Sequence, residues 1–113
     1  MKAALVATWT QPIPGREQKA LEYGVEIMAH WSALAQQGKC TEPEMFFAET
    51  GVGMWMVKGD RATLMAESEN DVARLLVMKG DLLLKGFALV LYHTGDAADA
   101  FMATYGQALA SIS

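Results

Sequence analysis

Near its start the chain alternates Leu5, Ala7 and Trp9 with Ala4, Val6 and Thr8; towards its end Phe87, Leu89 and Leu91 alternate with Ala88, Val90 and Tyr92. A strand with one face in water alternates apolar with polar side chains. These runs are apolar on both faces, so both faces of the sheet they build ask for cover. The rest of the chain supplies helix enough for one face. A second copy of the chain is the simplest cover for the other.

The same patterning predicts the elements in turn. A first strand runs from about Lys2 to Thr10 and stops at Pro12 and Pro14, which lack ladder donors. Gly15 closes the turn, and a helix follows from about Arg16 to Gln37, ended by a left-handed cap at Gly38. Its apolar stripe is Ala20, Gly24, Ile27, Trp31, Leu34 and Ala35, with Gln18, Glu22, Ser32 and Gln36 opposite. Met45 to Glu49 and Met54 to Lys58 flank Thr50-Gly51-Val52-Gly53 and read as a hairpin. Asp60 is placed to cap a short helix through Glu67. Ser68, followed at the right spacing by Asp71, resembles a capping box. It breaks the helix and opens a second piece that carries Val72, Leu75 and Leu76 and ends at Gly80. Leu82 to Leu84 lead into a last strand, Phe87 to His93, with Lys85-Gly86 as a bulge. Thr94-Gly95-Asp96 opens a terminal helix whose stripe is Ala98, Phe101, Met102, Tyr105, Leu109 and Ile112. That stripe is wide enough to require docking, either on the protein's own layers or across a dimer.

The order β-α-β-β-α-β plus a final helix is the split-βαβ, ferredoxin-like pattern of an α+β domain. In it a four-stranded antiparallel sheet carries its helices on one face. The bare face is then free to pack on a partner's sheet.

Composition sharpens this picture. The chain of 113 residues forms a single domain, 1–113. A domain of this size buries about two-thirds of its unfolded surface and folds without disulfide or metal. Hydrophobic residues make up 52% and charged ones only 19%, more apolar surface than a small monomer hides, which marks an interface or a ligand cavity. The net charge of −4, with nine scattered basic residues, excludes nucleic acid as a partner. The single cysteine, Cys40, excludes an intrachain disulfide and fits a reducing compartment. Met1 to Ala7 has the charge and short apolar run of a signal peptide, but Trp9 and Gln11-Pro12 stand where a small-residue cleavage site belongs, so the segment reads as a strand. No apolar run approaches the ~20 residues of a membrane span. A soluble, cytoplasmic protein with no membrane partner is expected.

Pro14-Gly15-Arg16-Glu17 leads from the first strand into the first helix, and Val57-Lys58-Gly59-Asp60 leads from the third strand into the broken helix. With the element order, these stretches resemble the dimeric α/β-barrel superfamily, which includes antibiotic-biosynthesis-monooxygenase-like domains. The resemblance implies a homodimer with its sheets face to face and a pocket between each sheet and its own helices. It implies no single function, since the fold hosts many.

The candidate catalytic residues are His30 and His93, because histidine is the commonest general acid or base near neutral pH. The helix length returns His30 to about the level of Ala4, and the last strand ends near the start of the first. With the third strand taken as parallel to the first, Trp55 joins them at one end of the sheet. The alternative is two boundary histidines and a core tryptophan. Trp9, Tyr23, Trp31 and Trp55 are the candidate ligand-binding residues, with simple core packing as their alternative. The eight methionines suit a plastic cavity or, better, an interface. His30, His93 and Cys40 lack metal-ligand spacing, so no metal is expected. Some members of the resembled superfamily degrade haem with an Asn-Trp-His set; the lone asparagine here, Asn70, lies at a helix break, which speaks against that activity. Gly51-Val52-Gly53 is too short for a phosphate loop, and no serine has a nucleophile-elbow context. Cys40 follows a helix end, where thiol pKa rises.

These residues point to a small homodimeric domain that takes an apolar or aromatic molecule between sheet and helices, with no cofactor. One alternative is a cofactor-free monooxygenase or isomerase using His30 or His93; another is a purely structural interaction module. A pocket above about 300 Å³ with a histidine pointing into it favours binding or catalysis, and a filled core favours the structural role.

Overall fold

The computed structural model describes residues 2–113. Four strands, β1 (Lys2–Trp9), β3 (Glu44–Phe47), β4 (Gly53–Asp60) and β6 (Ala88–His93), form one sheet in the order β3-β4-β1-β6. Every neighbouring pair in it is antiparallel. Between them run α1 (Glu17–Gln36), α2 (Arg61–Glu69) and α3 (Asp71–Leu83), and α4 (Asp96–Ile112) follows β6. This is the expected α+β, ferredoxin-like arrangement. The sheet is open, and closing a barrel would take a second sheet.

Pro12 does not end all pairing. β2 (Gln11–Pro12) pairs with β5 (Leu84–Lys85) in a separate two-stranded ladder, and the Thr10 amide donates to the Lys85 carbonyl at 2.9 Å. Lys85 therefore belongs to this ladder and not to a bulge in the last strand.

α1 buries Ala20, Tyr23, Ile27, Trp31 and Leu34. Tyr23 takes the place expected of Gly24, because its hydroxyl donates to the Leu76 carbonyl at 2.8 Å and so satisfies its polar tip inside the core. Asp60 caps α2 as predicted, its carboxylate accepting the Thr63 amide at 3.3 Å. The cap of α3 is Asn70, whose side-chain oxygen accepts the Ala73 amide at 2.9 Å. Ser68, the expected cap, still lies inside α2 and donates back to the Met65 carbonyl at 2.9 Å.

α3 continues through Gly80 to Leu83. Gly80 is needed for close approach and ends nothing: a Cβ there would lie 2.7 Å from the Tyr23 hydroxyl oxygen and 2.8 Å from the tip of Phe87. Of the apolar residues assigned to this helix, Leu76 is buried, while Val72 and Leu75 face outward.

The register separates the two faces of the sheet. Leu5 stands opposite Val57 and Leu91, and these residues meet Ile27, Trp31, Leu64 and Leu76 in the core. Val6 stands opposite Met56 and Val90 on the other face, which no helix covers. There Phe46, Val90 and Tyr92 are 43%, 42% and 51% exposed.

α4 does not dock on its own layers. The Thr94 amide ties its start to the Lys2 carbonyl at 3.2 Å, and Ala97 in its first turn is buried. Every residue from Asp99 onward is exposed. The reason is topological: β6 is the edge strand, and beyond Phe101, which stacks on His93, no layer lies beside the helix.

Candidate functional site

A cavity of about 200 Å³ lies between α1 and the covered face of the sheet. The sheet contributes Trp9, Met45 and Trp55, α1 contributes Ala20, Tyr23 and Ile27, and Phe47 and Leu84 complete the wall. Strand alternation places Trp9 and Trp55 on the same face, because Trp9 pairs with Gly53 and Ala7 with Trp55. Gly53 makes the room: a Cβ there would lie 2.4 Å from the Trp9 ring, so the indole lies over bare backbone. Phe47 meets Trp9 edge-on with ring centres 6.4 Å apart. Trp31 stands behind Trp55, 5.7 Å away and tilted by 37°.

The lining is almost wholly apolar, so its few polar groups decide what it can hold. The Trp55 indole N–H is buried and has no hydrogen-bond partner. The Tyr23 hydroxyl is already spent on Leu76. Burial, seconded by the Glu26 carboxylate, pushes its pKa well above the usual phenol range, so it stays neutral. Glu17 lines the cavity too, but its carboxylate accepts the Gly15 amide in the preceding turn. The arrangement suits an apolar ring, and the Trp55 N–H is buried too deeply to meet it. Glu17 is the one carboxylate among the lining side chains.

Neither histidine lines this cavity. His30 lies on α1 beyond Ile27 and meets Trp31 edge-on at 5.3 Å. Burial lowers its pKa, against a smaller upward pull from the Glu67 carboxylate. His93 pairs opposite Ala3 and stacks on Phe101 at 5.1 Å. Trp55 pairs opposite Ala7, roughly 13 Å further along the sheet at ~3.3 Å per residue. The expectation that Trp55 would share an end with His93 rested on a third strand parallel to the first. That strand, β4, is antiparallel to β1, which puts Trp55 towards the opposite end. A split βαβ unit interleaves an antiparallel strand between two parallel ones, and this interleaving sets the direction.

Of the four aromatic candidates, Trp9, Tyr23 and Trp55 converge on the cavity, and Trp31 backs it. Met45, Phe47, Leu84 and Gly53 also shape it. Gly53 carried a signal, since a glycine inside a strand marks a close approach. Leu84 carried none, because it reaches the site through the β2–β5 ladder, which pairs residues far apart in sequence.

Cys40 sits apart, half-buried, its sulfur 3.8 Å from the Trp31 carbonyl oxygen. Burial first, then the carboxylates of Glu42 and Glu67, push its thiol pKa up. The neighbouring Lys39 is paired with Glu67 at 2.8 Å. The thiol is therefore a poor nucleophile at neutral pH. Among the described residues, no group of three or more His, Cys, Asp or Glu side chains is placed to hold a metal ion. No helix among them is long and apolar enough to cross a membrane.

No family model matches the chain, and no curated protein matches it. Solved structures do. The structure of Rv0793 from Mycobacterium tuberculosis superposes with a TM-score of 0.68 at 13% identity, covering 87% of this chain and 99% of that one. A structure described as an antibiotic biosynthesis monooxygenase gives 0.60 at 16% identity, over 84% of this chain and 99% of that one. A dimeric protein of unknown function and ferredoxin-like fold from Bacteroides fragilis gives 0.57 at 8% identity, over 80% and 94%. The chain has the ferredoxin-like fold of these proteins. The resemblance read from its sequence holds at the level of fold, and identities this low carry no activity across.

Proposed function

We propose that the protein is a homodimer, paired through the open face of its sheet, that holds a single-ring apolar molecule in the cavity between α1 and the sheet. The observation that carries the binding role is an apolar cavity walled by three aromatic side chains, Trp9, Tyr23 and Trp55, at the centre of the fold's covered face. The volume of about 200 Å³ lies below the ~300 Å³ at which ligand pockets ordinarily begin, so it limits the occupant to one ring with a short substituent, as an apolar cavity of about 150 Å³ takes benzene. The ligand class is then a single aromatic or aliphatic ring with a short, uncharged substituent.

The dimer is supported by Phe46, Val90 and Tyr92, large apolar side chains exposed on the uncovered face. A fold neighbour described as dimeric adds to this. Such a face would bury about 800 Å² per partner in a standard interface. The protonated, half-buried thiol of Cys40 fits a reducing, cytoplasmic setting. Binding is preferred over cofactor-free oxygenation or isomerisation because neither His30 nor His93 lines the cavity to move a proton there.

The test uses acetophenone and its hydrocarbon analogue ethylbenzene, titrated by ligand-observed NMR. Both are expected to bind with similar affinity, since the walls recognise the ring and not its substituent. Gly24 lines the cavity, and a Cβ there meets nothing within 4 Å. Gly24→Leu should therefore fill the cavity and abolish both signals without unfolding the helix. Binding that survives Gly24→Leu would place the ligand elsewhere. Sedimentation of a monomer at micromolar concentration would remove the dimer.

A further inference from the structure

The cavity has its mouth on the side away from α3. α1 meets α3 through Tyr23, bonded to the Leu76 carbonyl, and through Glu26, paired with Lys79 at 3.0 Å. Glu17, Leu21 and Gly24 lie on the opposite flank of α1, and all three line the cavity. Facing that flank stand Met45 and Phe47 of β3, the edge strand of the sheet. Leu21 and Phe47 are 65% and 73% exposed, and a Cβ on Gly24 would meet nothing within 4 Å. The cavity therefore opens between α1 and the sheet edge.

The edge at this mouth carries free backbone groups, and the register says which. The hairpin closes with the Ala48 amide donating to the Val52 carbonyl at 2.8 Å. Bonded and unbonded pairs alternate along an antiparallel ladder. Phe46 opposite Met54 and Glu44 opposite Met56 are thus the bonded pairs, while Met45 and Phe47 turn their N–H and C=O groups outward. No described residue bonds to those groups. The two β3 residues whose side chains wall the cavity are therefore the two that offer hydrogen bonds at its rim. A strand added to this edge puts the side chain opposite Met45 or Phe47 on the covered face, at the mouth.

Inside the cavity, by contrast, no free polar group orients a ligand. The Tyr23 hydroxyl is bonded to Leu76, the Glu17 carboxylate to the Gly15 amide, and the Trp55 N–H is out of reach. Sites for free small molecules carry a few placed polar groups inside. Room for one ring, with hydrogen bonds offered only at the rim, is the layout of a side-chain pocket beside a peptide groove. Charge narrows the partner: from Thr41 to Val57 the chain carries Glu42, Glu44 and Glu49 and no lysine or arginine.

We propose that the ring held in the cavity is the phenylalanine side chain of an extended, basic peptide that pairs with the free edge of β3. The proposal rests on the cavity reading above and adds to it the backbone and the charge of the ligand.

The test compares ethylbenzene with the capped pentapeptide acetyl-Lys-Thr-Phe-Thr-Lys-amide, by NMR titration and amide hydrogen exchange of the full chain. The peptide is expected to bind at least about tenfold more tightly than ethylbenzene at low salt. Methylating its phenylalanine nitrogen keeps the ring and removes the pairing donor, and should cancel that gain. Saturating peptide should slow exchange of the Met45 and Phe47 amides by about tenfold or more, and ethylbenzene should not. Ethylbenzene binding with a peptide no tighter overturns the proposal and leaves the cavity reading intact. Failure of ethylbenzene to bind removes the cavity reading and this proposal with it. Peptide binding indifferent to Gly24→Leu places the ring elsewhere and overturns the proposal alone. Met45 and Phe47 amides already protected in the free protein would give the edge to a second copy of the chain, and that too overturns it.

Discussion

The two faces of the sheet are written in the same alphabet and end in different environments. On the covered face Val57 of β4 is fully buried and Trp55 almost so; on the open face Val90 and Tyr92 stand half-exposed on β6, across β1 from it. The side chains that alternate along β1 differ little in polarity: Leu5 and Ala7 inward, Ala4 and Val6 outward. Polarity alone thus tells how many faces need cover but not which one the helices take. Direction and register decide that, and they put α1, α2 and α3 on the Leu5 side.

The sharpest way to break this comparison is to place the same charge on each face. Val57→Asp puts an unpaired carboxylate in a dry core, which costs several kcal/mol and should abolish cooperative thermal unfolding. Val90→Asp meets water in the monomer, so it should keep the far-UV circular dichroism of the native protein and lose only association. If both variants unfold, the open face is part of the fold's own core and the distinction fails.

Truncation gives a smaller contrast of the same kind. Leu64, on the inner side of α2, is fully buried, and Leu64→Ala should cost about 2–5 kcal/mol in denaturant unfolding. Met78, exposed on the outer side of α3, should cost within about 0.5 kcal/mol as Met78→Ala. Phe101 falls between them. Half-exposed but stacked on His93, it should cost less on truncation than the about 3–5 kcal/mol of a fully buried phenylalanine.

Within the covered face, Gly53→Ala tests the shape of the cavity. The new methyl must displace the Trp9 indole, an overpacking cost of about 1–3 kcal/mol. Ring binding should be lost along with it. If Gly53→Ala keeps both stability and binding, the close approach does not define the cavity.

The pH response follows from His30. Its pKa is lowered in the folded state, so the unfolded chain binds its proton more readily. Stability attributable to it is full above the unfolded value near 6.5 and falls as the pH drops through that value towards the folded one. The melting temperature should therefore decline on acidification from neutral pH, and His30→Gln should flatten that decline. A wild-type profile parallel to that of the variant would show that His30 stays equally protonated in both states. The smallest effect belongs to Cys40→Ser, which should shift stability by less than about 1 kcal/mol and leave the assembly intact in reductant.

Much of the fold was legible because its signals are local. The apolar stripe of α1, the Asp60 cap and the hairpin around Thr50 to Gly53 each depend on residues within a few positions of one another. The misreadings are local signals overruled by distant partners. Gly80 looked like a helix end because glycine usually is one, yet Tyr23 and Phe87 require it inside α3. Ser68 and Asn70 both had the chemistry of a cap, and the helix phase chose Asn70.

The sequence by itself determined the element order, the ferredoxin-like class and the surplus of apolar surface. Periodicity, caps and composition are properties of the chain, present before it folds. Only the tertiary structure decided that β4 runs against β1, that Trp9, Tyr23 and Trp55 share a cavity and that His30 and His93 stand outside it. It also decided that α4 leaves the body with most of its apolar stripe bare. Each of these turns on strand direction and register, which are pairings between segments far apart in sequence, and no local pattern encodes which partner a segment will meet.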